Sequence, residues 1–95
     1  MRYLLVDGMM SGTGIRDAVE GGYLDPKDLE LSEPLVRRIS LWLLAYEEAH
    51  LEQYSDKDNI AALDAEGRKI RDQVREELPD AKVSYYSDAE ARILE

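Results

Sequence analysis

The chain has no cysteine. Neither a disulfide nor a Cys-ligated zinc site can form within it, and a reducing compartment is permitted. It has a single histidine, His50, which excludes paired-histidine metal motifs such as H-E-x-x-H. Bases are scarce: 12 Lys and Arg stand against 21 Asp and Glu, for a net charge of −9. Nucleic acid and anionic membranes both demand an excess of Lys and Arg, so neither is expected as a direct partner, whereas a cationic protein is. No apolar run approaches the roughly 20 residues of a membrane span, and Met1–Asp7 is too short for a signal peptide, so a cytosolic protein is expected. No internal repeat and no low-complexity tract is present. What remains is 95 residues of which 44% are hydrophobic, enough for one folded domain with one core.

Local patterns divide the chain into six parts. Arg2–Val6 is apolar and stops at Asp7-Gly8, which predicts a strand over about 2–7. Residues 8–31 read as loop and short helices. Met9–Gly14 is rich in turn formers, Ile15–Glu20 has room for one or two helical turns before Gly21-Gly22, and Asp25-Pro26 opens a capped turn. Ser32 with Pro34 starts a long helix over about 33–54, with Leu35, Ile39, Trp42, Leu43, Tyr46 and Ala49 on its core side. Ser55 to Asp58 has the spacing of a capping box and starts a second long helix over about 57–78. Its core side carries Ile60, Leu63, Gly67, Ile70, Val74 and Leu78. Its other side, with Asp64, Arg68, Lys69, Arg71, Asp72, Arg75 and Glu76, reads as a solvated surface with pairs such as Asp64–Arg68 and Arg68–Asp72. Gly67 suggests close approach to a bulky side chain, with Trp42 the candidate. Lys82–Ser87 alternates as a second strand, and Ser87-Asp88-Ala89-Glu90 has the pattern of a capping box for a short C-terminal helix. The expected fold is α+β: an antiparallel helical hairpin packed on a small sheet containing the N- and C-terminal strands.

Chemistry-bearing motifs are few. The Gly8–Gly14 loop follows a strand, but its spacing is neither G-x-G-x-x-G nor G-x-x-x-x-G-K-[ST]. A loop that re-aims the chain and a small phosphate-binding enzyme are the two readings of it. Ser11, His50 and an Asp do not make a specific triad in so acidic a chain, and His50 reads as a packed, hydrogen-bonded residue. Asp56-Lys57-Asp58-Asn59 starts like a calcium loop, but Ile60 and Ala61 break the alternation. No catalytic residue, metal or cofactor is expected. The more informative feature is a surface. Glu47, Glu48, Glu52, Asp56 and Asp58 cluster around the end of the first long helix, and Leu44 and Leu51 are interspersed on its outer side, with Leu41 nearby. Apolar residues rimmed by one sign of charge suit a protein interface. The alternative is that these leucines lie under the 8–31 segment. Asp25, Asp28, Glu30 and Glu33 either extend the acidic surface or are merely solvated.

The run Ser11-Gly12-Thr13-Gly14-Ile15-Arg16-Asp17, then Glu20-Gly21-Gly22-Tyr23-Leu24-Asp25-Pro26, then Leu31-Ser32, Arg38-Ile39, Trp42-Leu43 and Tyr46-Glu47, resembles small bacterial proteins encoded beside polymorphic toxins, the immunity proteins of contact-dependent growth inhibition systems. Leu63-Asp64-Ala65-Glu66-Gly67 and Glu77-Leu78-Pro79-Asp80-Ala81-Lys82-Val83 fit the same resemblance, which spans nearly the whole chain. The resemblance implies stoichiometric neutralisation of a cognate toxin domain, often a basic nuclease, in the cytosol. Immunity proteins differ widely in fold and surface, so it implies no particular binding residue. The expected function is therefore an antitoxin that covers its toxin's active site or substrate surface through Leu44, Glu47, Glu48, Leu51, Glu52, Asp56 and Asp58. The competing expectation is an acidic inhibitor or adaptor unrelated to toxin immunity.

Overall fold

The computed structural model describes residues 1–95. It contains β1 (Arg2–Asp7), β2 (Ile15–Asp17), α1 (Glu33–Leu51), α2 (Lys57–Glu77), β3 (Ala81–Ser87) and β4 (Arg92–Leu94). Two helices pack on a four-stranded mixed sheet of order β2-β1-β3-β4, an α+β fold that includes both terminal strands. β1 and β3 are parallel, with Leu4 opposite Val83 and Val6 opposite Tyr85, while β2 and β4 are antiparallel additions at the two edges. No helix is long and apolar enough to cross a membrane.

Both helices begin where local chemistry predicts. The Ser32 hydroxyl accepts the Leu35 amide at 3.4 Å, with Pro34 tolerated in the first turn because amides there have no helical partner. At α2 the cap is Asp56 rather than Ser55; its carboxylate accepts the Asn59 amide at 3.1 Å. The helices run antiparallel, as three contacts in descending order show. Ser32 meets Glu77, Arg38 forks onto Glu66 at 2.6 and 2.9 Å, and the Trp42 indole donates to the Leu63 carbonyl at 2.9 Å. α1 ends at Leu51, earlier than its pattern suggests, because Gln53 and Tyr54 turn left-handed at φ 59° and 55°.

The core lies between the helices and one face of the sheet. Leu4 and Val6 of β1, Ile15 of β2, Val83 and Tyr85 of β3 and Leu94 of β4 are buried against Leu35, Ile39, Trp42, Tyr46 and Ala49 of α1 and Ile60, Leu63, Ile70 and Val74 of α2. Both apolar stripes expected of the helices are thus used, Leu43 and Leu78 at their margins.

Three expectations are corrected. Ile15–Glu20 does not form helical turns: Ile15–Asp17 is β2, and the Asp17 carboxylate accepts the Val19 and Glu20 amides to turn the chain back. The free edge of β1 recruits this segment, and the pairing buries Ile15 completely. No C-terminal helix forms either. Ser87 does cap Glu90, at 3.1 Å, but Ala91 turns left-handed at φ 56° and residues 92–94 return along β3. The third correction concerns α2. Asp64 and Arg71 are buried, not solvated, and the ion pairs on that side are Arg71–Asp72 and Arg75–Asp72 rather than Asp64–Arg68 and Arg68–Asp72. Arg71 instead donates to the Leu94 carbonyl at 3.3 Å, fastening α2 to β4.

Gly67 is a point of close approach, but to Tyr85 rather than to Trp42: a Cβ on Gly67 would overlap the Tyr85 ring. That ring cannot withdraw, because its hydroxyl is bonded to Asp64 at 2.6 Å. Gly67→Ala is therefore expected to destabilise the protein by about 1–3 kcal/mol through overpacking, although alanine is worth about 1 kcal/mol more than glycine as a helix former. Urea denaturation of the two proteins checks the sign.

Candidate functional site

α1 has two apolar sides. At 100° per residue, Leu44 stands about 180° from Leu35 of the buried stripe, and Leu41, Leu44, Glu48 and Leu51 fall within about 80° of one another. The structure leaves this side uncovered: Leu41, Leu44 and Leu51 are 69%, 60% and 69% exposed. The 8–31 segment lies elsewhere, which excludes the alternative that it covers them. It crosses the other side of α1, where Gly8 abuts the Tyr46 ring. Glu47 and Glu52 flank the leucine ridge, Glu48 sits within it, and all three are exposed. Arg37 lies on the same side, nearer the N-terminus, and is exposed too. None of these four charges is engaged in an ion pair within the chain.

The remaining predicted site residues are placed differently. Asp56 is exposed but serves as the α2 cap, and Asp58 occupies the first turn of α2, where a carboxylate favours the positive end of the helix dipole. Both belong to helix initiation. The ridge and its rim are therefore Leu41, Leu44, Glu47, Glu48, Leu51 and Glu52. Of the second acidic stretch, Asp28 and Glu30 line a cleft of about 510 Å³, together with Arg2, Glu77 and Asp80. The Glu77 carboxylate is already occupied there, accepting from the Ser32 amide and hydroxyl at 2.7 Å each.

The Gly8–Gly14 loop closes a hairpin. The Asp7 amide donates to the Gly14 carbonyl at 3.0 Å and the Gly12 amide to Met9 at 3.0 Å. The loop leads into β2, so no helix N-terminus adds its positive charge there. His50 is exposed, but it is hydrogen-bonded as expected: its Nδ1 lies 3.0 Å from the Tyr54 hydroxyl, which donates to Asp88 at 2.6 Å. Burial and the Asp88 carboxylate push the Tyr54 phenol well above its ordinary value, so it remains a donor.

Two buried carboxylates are not apparent from composition. Asp64 is 3% exposed and accepts from Tyr46 at 2.9 Å, Tyr85 at 2.6 Å and Ser87 at 2.8 Å. Helical arithmetic does signal it. Asp64 lies only about 40° and Arg71 about 20° from Ile60 around α2, inside the margin of the apolar sector. Asp7 is 1% exposed at the end of β1 and is held by the Tyr23 hydroxyl at 2.9 Å and by Arg16 at 3.2 Å. Arg16 in turn lies over the Tyr86 ring. Burial raises the Asp7 carboxyl above its ordinary range, while the Tyr23 hydroxyl, the Met9 amide and Arg16 oppose the rise. The two carboxylates are buried and held by partners within the chain, so they organise the fold rather than present groups to a ligand.

No protein family, no curated protein and no solved structure matches the chain.

Asp64→Ala is expected to leave three buried hydroxyls without their acceptor, at about 1–3 kcal/mol for each that no water rescues; a fall in the thermal midpoint with the circular dichroism band shape retained checks it. For Asp7, the raised pKa means the folded state holds a proton that the unfolded state releases. Folding stability therefore gains as pH falls from neutral through the raised pKa of Asp7. Asp7→Asn removes that contribution, so the stability of wild type relative to the variant should increase as pH is lowered from neutral toward the ordinary carboxylate range, measured by denaturant titration at each pH.

Proposed function

We propose that the chain is an immunity protein, which binds a cognate toxin domain and neutralises it by covering its active site or substrate surface. The observation that supports this most is the exposed ridge of Leu41, Leu44 and Leu51 on α1, rimmed by Glu47, Glu48 and Glu52, whose charges have no partner within the chain. Three large apolar side chains on a helix face away from the core supply what the centre of an interface buries. Unpaired carboxylates around them supply a field that attracts a basic partner and accelerates encounter. A nuclease is a partner of that chemistry: its site is built to receive phosphates, and the glutamates substitute for them.

The function needs no catalytic group, metal or cofactor on this chain, and it operates in the cytosol, where the toxin would act. A standard interface covers about 800 Å² per partner, with a few residues dominating its energy. Leu44 and Leu51 are the expected anchors, because they lie between the flanking acids.

The test is co-expression. The toxic C-terminal domain of the protein encoded beside this chain is expressed alone and then together with it, and growth and copurification are scored. Suppression of toxicity with copurification supports the assignment. Undiminished toxicity overturns it and directs attention to a basic partner encoded elsewhere. With the pair in hand, Glu48→Lys combined with Glu52→Lys should slow association by about 10-fold at low salt and flatten its salt dependence, with the thermal midpoint unchanged. Stopped-flow rates at two ionic strengths check it, and unchanged rates would remove this face from the interface.

A further inference from the structure

Arg37, Leu41, Leu44, Glu48 and Leu51 recur along the exposed side of α1 at intervals of four, three, four and three residues. That is the spacing of a coiled-coil seam. The buried stripe of α1 is made by Leu35, Ile39, Trp42, Tyr46 and Ala49, so this seam is a second, unoccupied one. Within the seam the charges are Arg37 toward the N-terminus and Glu48 toward the C-terminus, with Glu33 and Glu52 at the outer ends, all exposed and all without an ion-pair partner in the chain.

We propose that a second copy of this chain covers the seam, forming a two-fold symmetric dimer through an antiparallel α1–α1 pair. The charges choose the orientation. A parallel pair would set Arg37 against Arg37 and Glu48 against Glu48, and like charges across an interface are strongly disfavoured. In an antiparallel pair, seating Leu41 of each copy on Leu44 of the other brings Arg37 onto Glu48 at both ends of the leucine cluster. The same register overlaps the two helices along their full length and lays Leu51 against Pro34 of the second copy. It is self-complementary, as a closed two-fold interface requires. Glu33 faces Glu52 at the two outer ends, where solvent and salt screen the repulsion. One helix from each copy gives an interface near or below the small end of stable assemblies, about 1,200 Å² in total. The dimer is accordingly weak, with a dissociation constant on the order of 10 μM.

The pairing uses the face assigned above to a basic partner, and its role as a regulator rests on that assignment. Two occupants of one face compete, so toxin binding draws the dimer apart by mass action. Free protein keeps its leucines covered and releases a binding-competent monomer as it is diluted or as partner appears.

The dimer is tested on the 95-residue chain alone by sedimentation equilibrium from about 1 to 500 μM, spanning both sides of that constant. Wild type is expected to shift from monomer to dimer across the range. Leu44→Glu should remain monomeric throughout. Arg37→Glu and Glu48→Arg should each raise the dissociation constant by at least about 10-fold, and the double variant R37E/E48R should return it to within about threefold of wild type. All three positions are exposed, so far-ultraviolet circular dichroism should show an unchanged fold in every variant. A wild-type chain that stays monomeric, a dimer unmoved by Leu44→Glu, or a double variant that fails to recover would each overturn the proposal. No toxin is present in this experiment, so its failure leaves the co-expression result standing, and a failed co-expression leaves the dimer standing.

Discussion

The Asp64 carboxylate, carried by α2 into the space between α1 and β3, is the contact on which the rest of the packing depends. It accepts a hydroxyl from Tyr46 of α1 and two more, Tyr85 and Ser87, from β3. Burying a carboxylate costs several kcal/mol, and hydrogen bonds to a charged group return about 1.5–3 kcal/mol each. Three such bonds offset the cost only if all three elements hold their positions together. The same demand explains Gly67, one turn along α2, where the Tyr85 ring passes too close for any side chain. It also explains why Tyr46 touches so many parts of the molecule. Its hydroxyl serves Asp64 and receives the Ala89 amide at 3.1 Å, and its ring packs edge-on against Trp42 and Tyr54.

Around this centre, polarity is inverted relative to a simple two-layer protein. α2 carries an acid and a base inward, while α1 carries three leucines outward. The inward charges are engaged: Asp64 by three hydroxyls, Arg71 by Asp72 and the Leu94 carbonyl. The outward leucines are not part of the core. A chain of this size has little apolar surface to spare for display, which is why the outer side of α1 is the part of the surface that the functional proposal rests on.

The acidic end of that ridge is held firmly. Gln53 and Tyr54 both adopt left-handed backbone conformations immediately after α1, a cost of order 1–3 kcal/mol each. The Tyr54 hydroxyl is tied at once to Asp88 beyond β3 and to His50 in the last turn of α1. Asp7, at the matching end of the parallel neighbour β1, is fastened by Tyr23 and Arg16. The C-terminal turn of α1, with Glu47, Glu48, Leu51 and Glu52, is fixed through His50 and Tyr54 to the end of β3. A surface fixed before contact loses less entropy on binding.

Long periodic segments declared themselves in the sequence. α1 and α2 follow from apolar spacing and from capping signals at Ser32 and, one residue before the observed cap Asp56, at Ser55, and β1 and β3 from two apolar or alternating runs that a short connection between antiparallel helices brings to one sheet. These are interactions between residues near one another in the chain, and each is repeated several times. The exposed leucines and their acidic rim were visible for the same reason. Whether the 8–31 segment covered them was not, since only the path of that segment across Gly8 and Tyr46 leaves them bare. β2 and β4 have three residues each, too few to establish a period, and they exist because β1 and β3 had free edges to pair. Asp64 and Arg71 carry no local mark separating them from solvated neighbours beyond a few tens of degrees around the helix. Their burial was decided by hydroxyls and a carbonyl supplied from distant parts of the chain, because a charged group can leave water only where such partners are already in place.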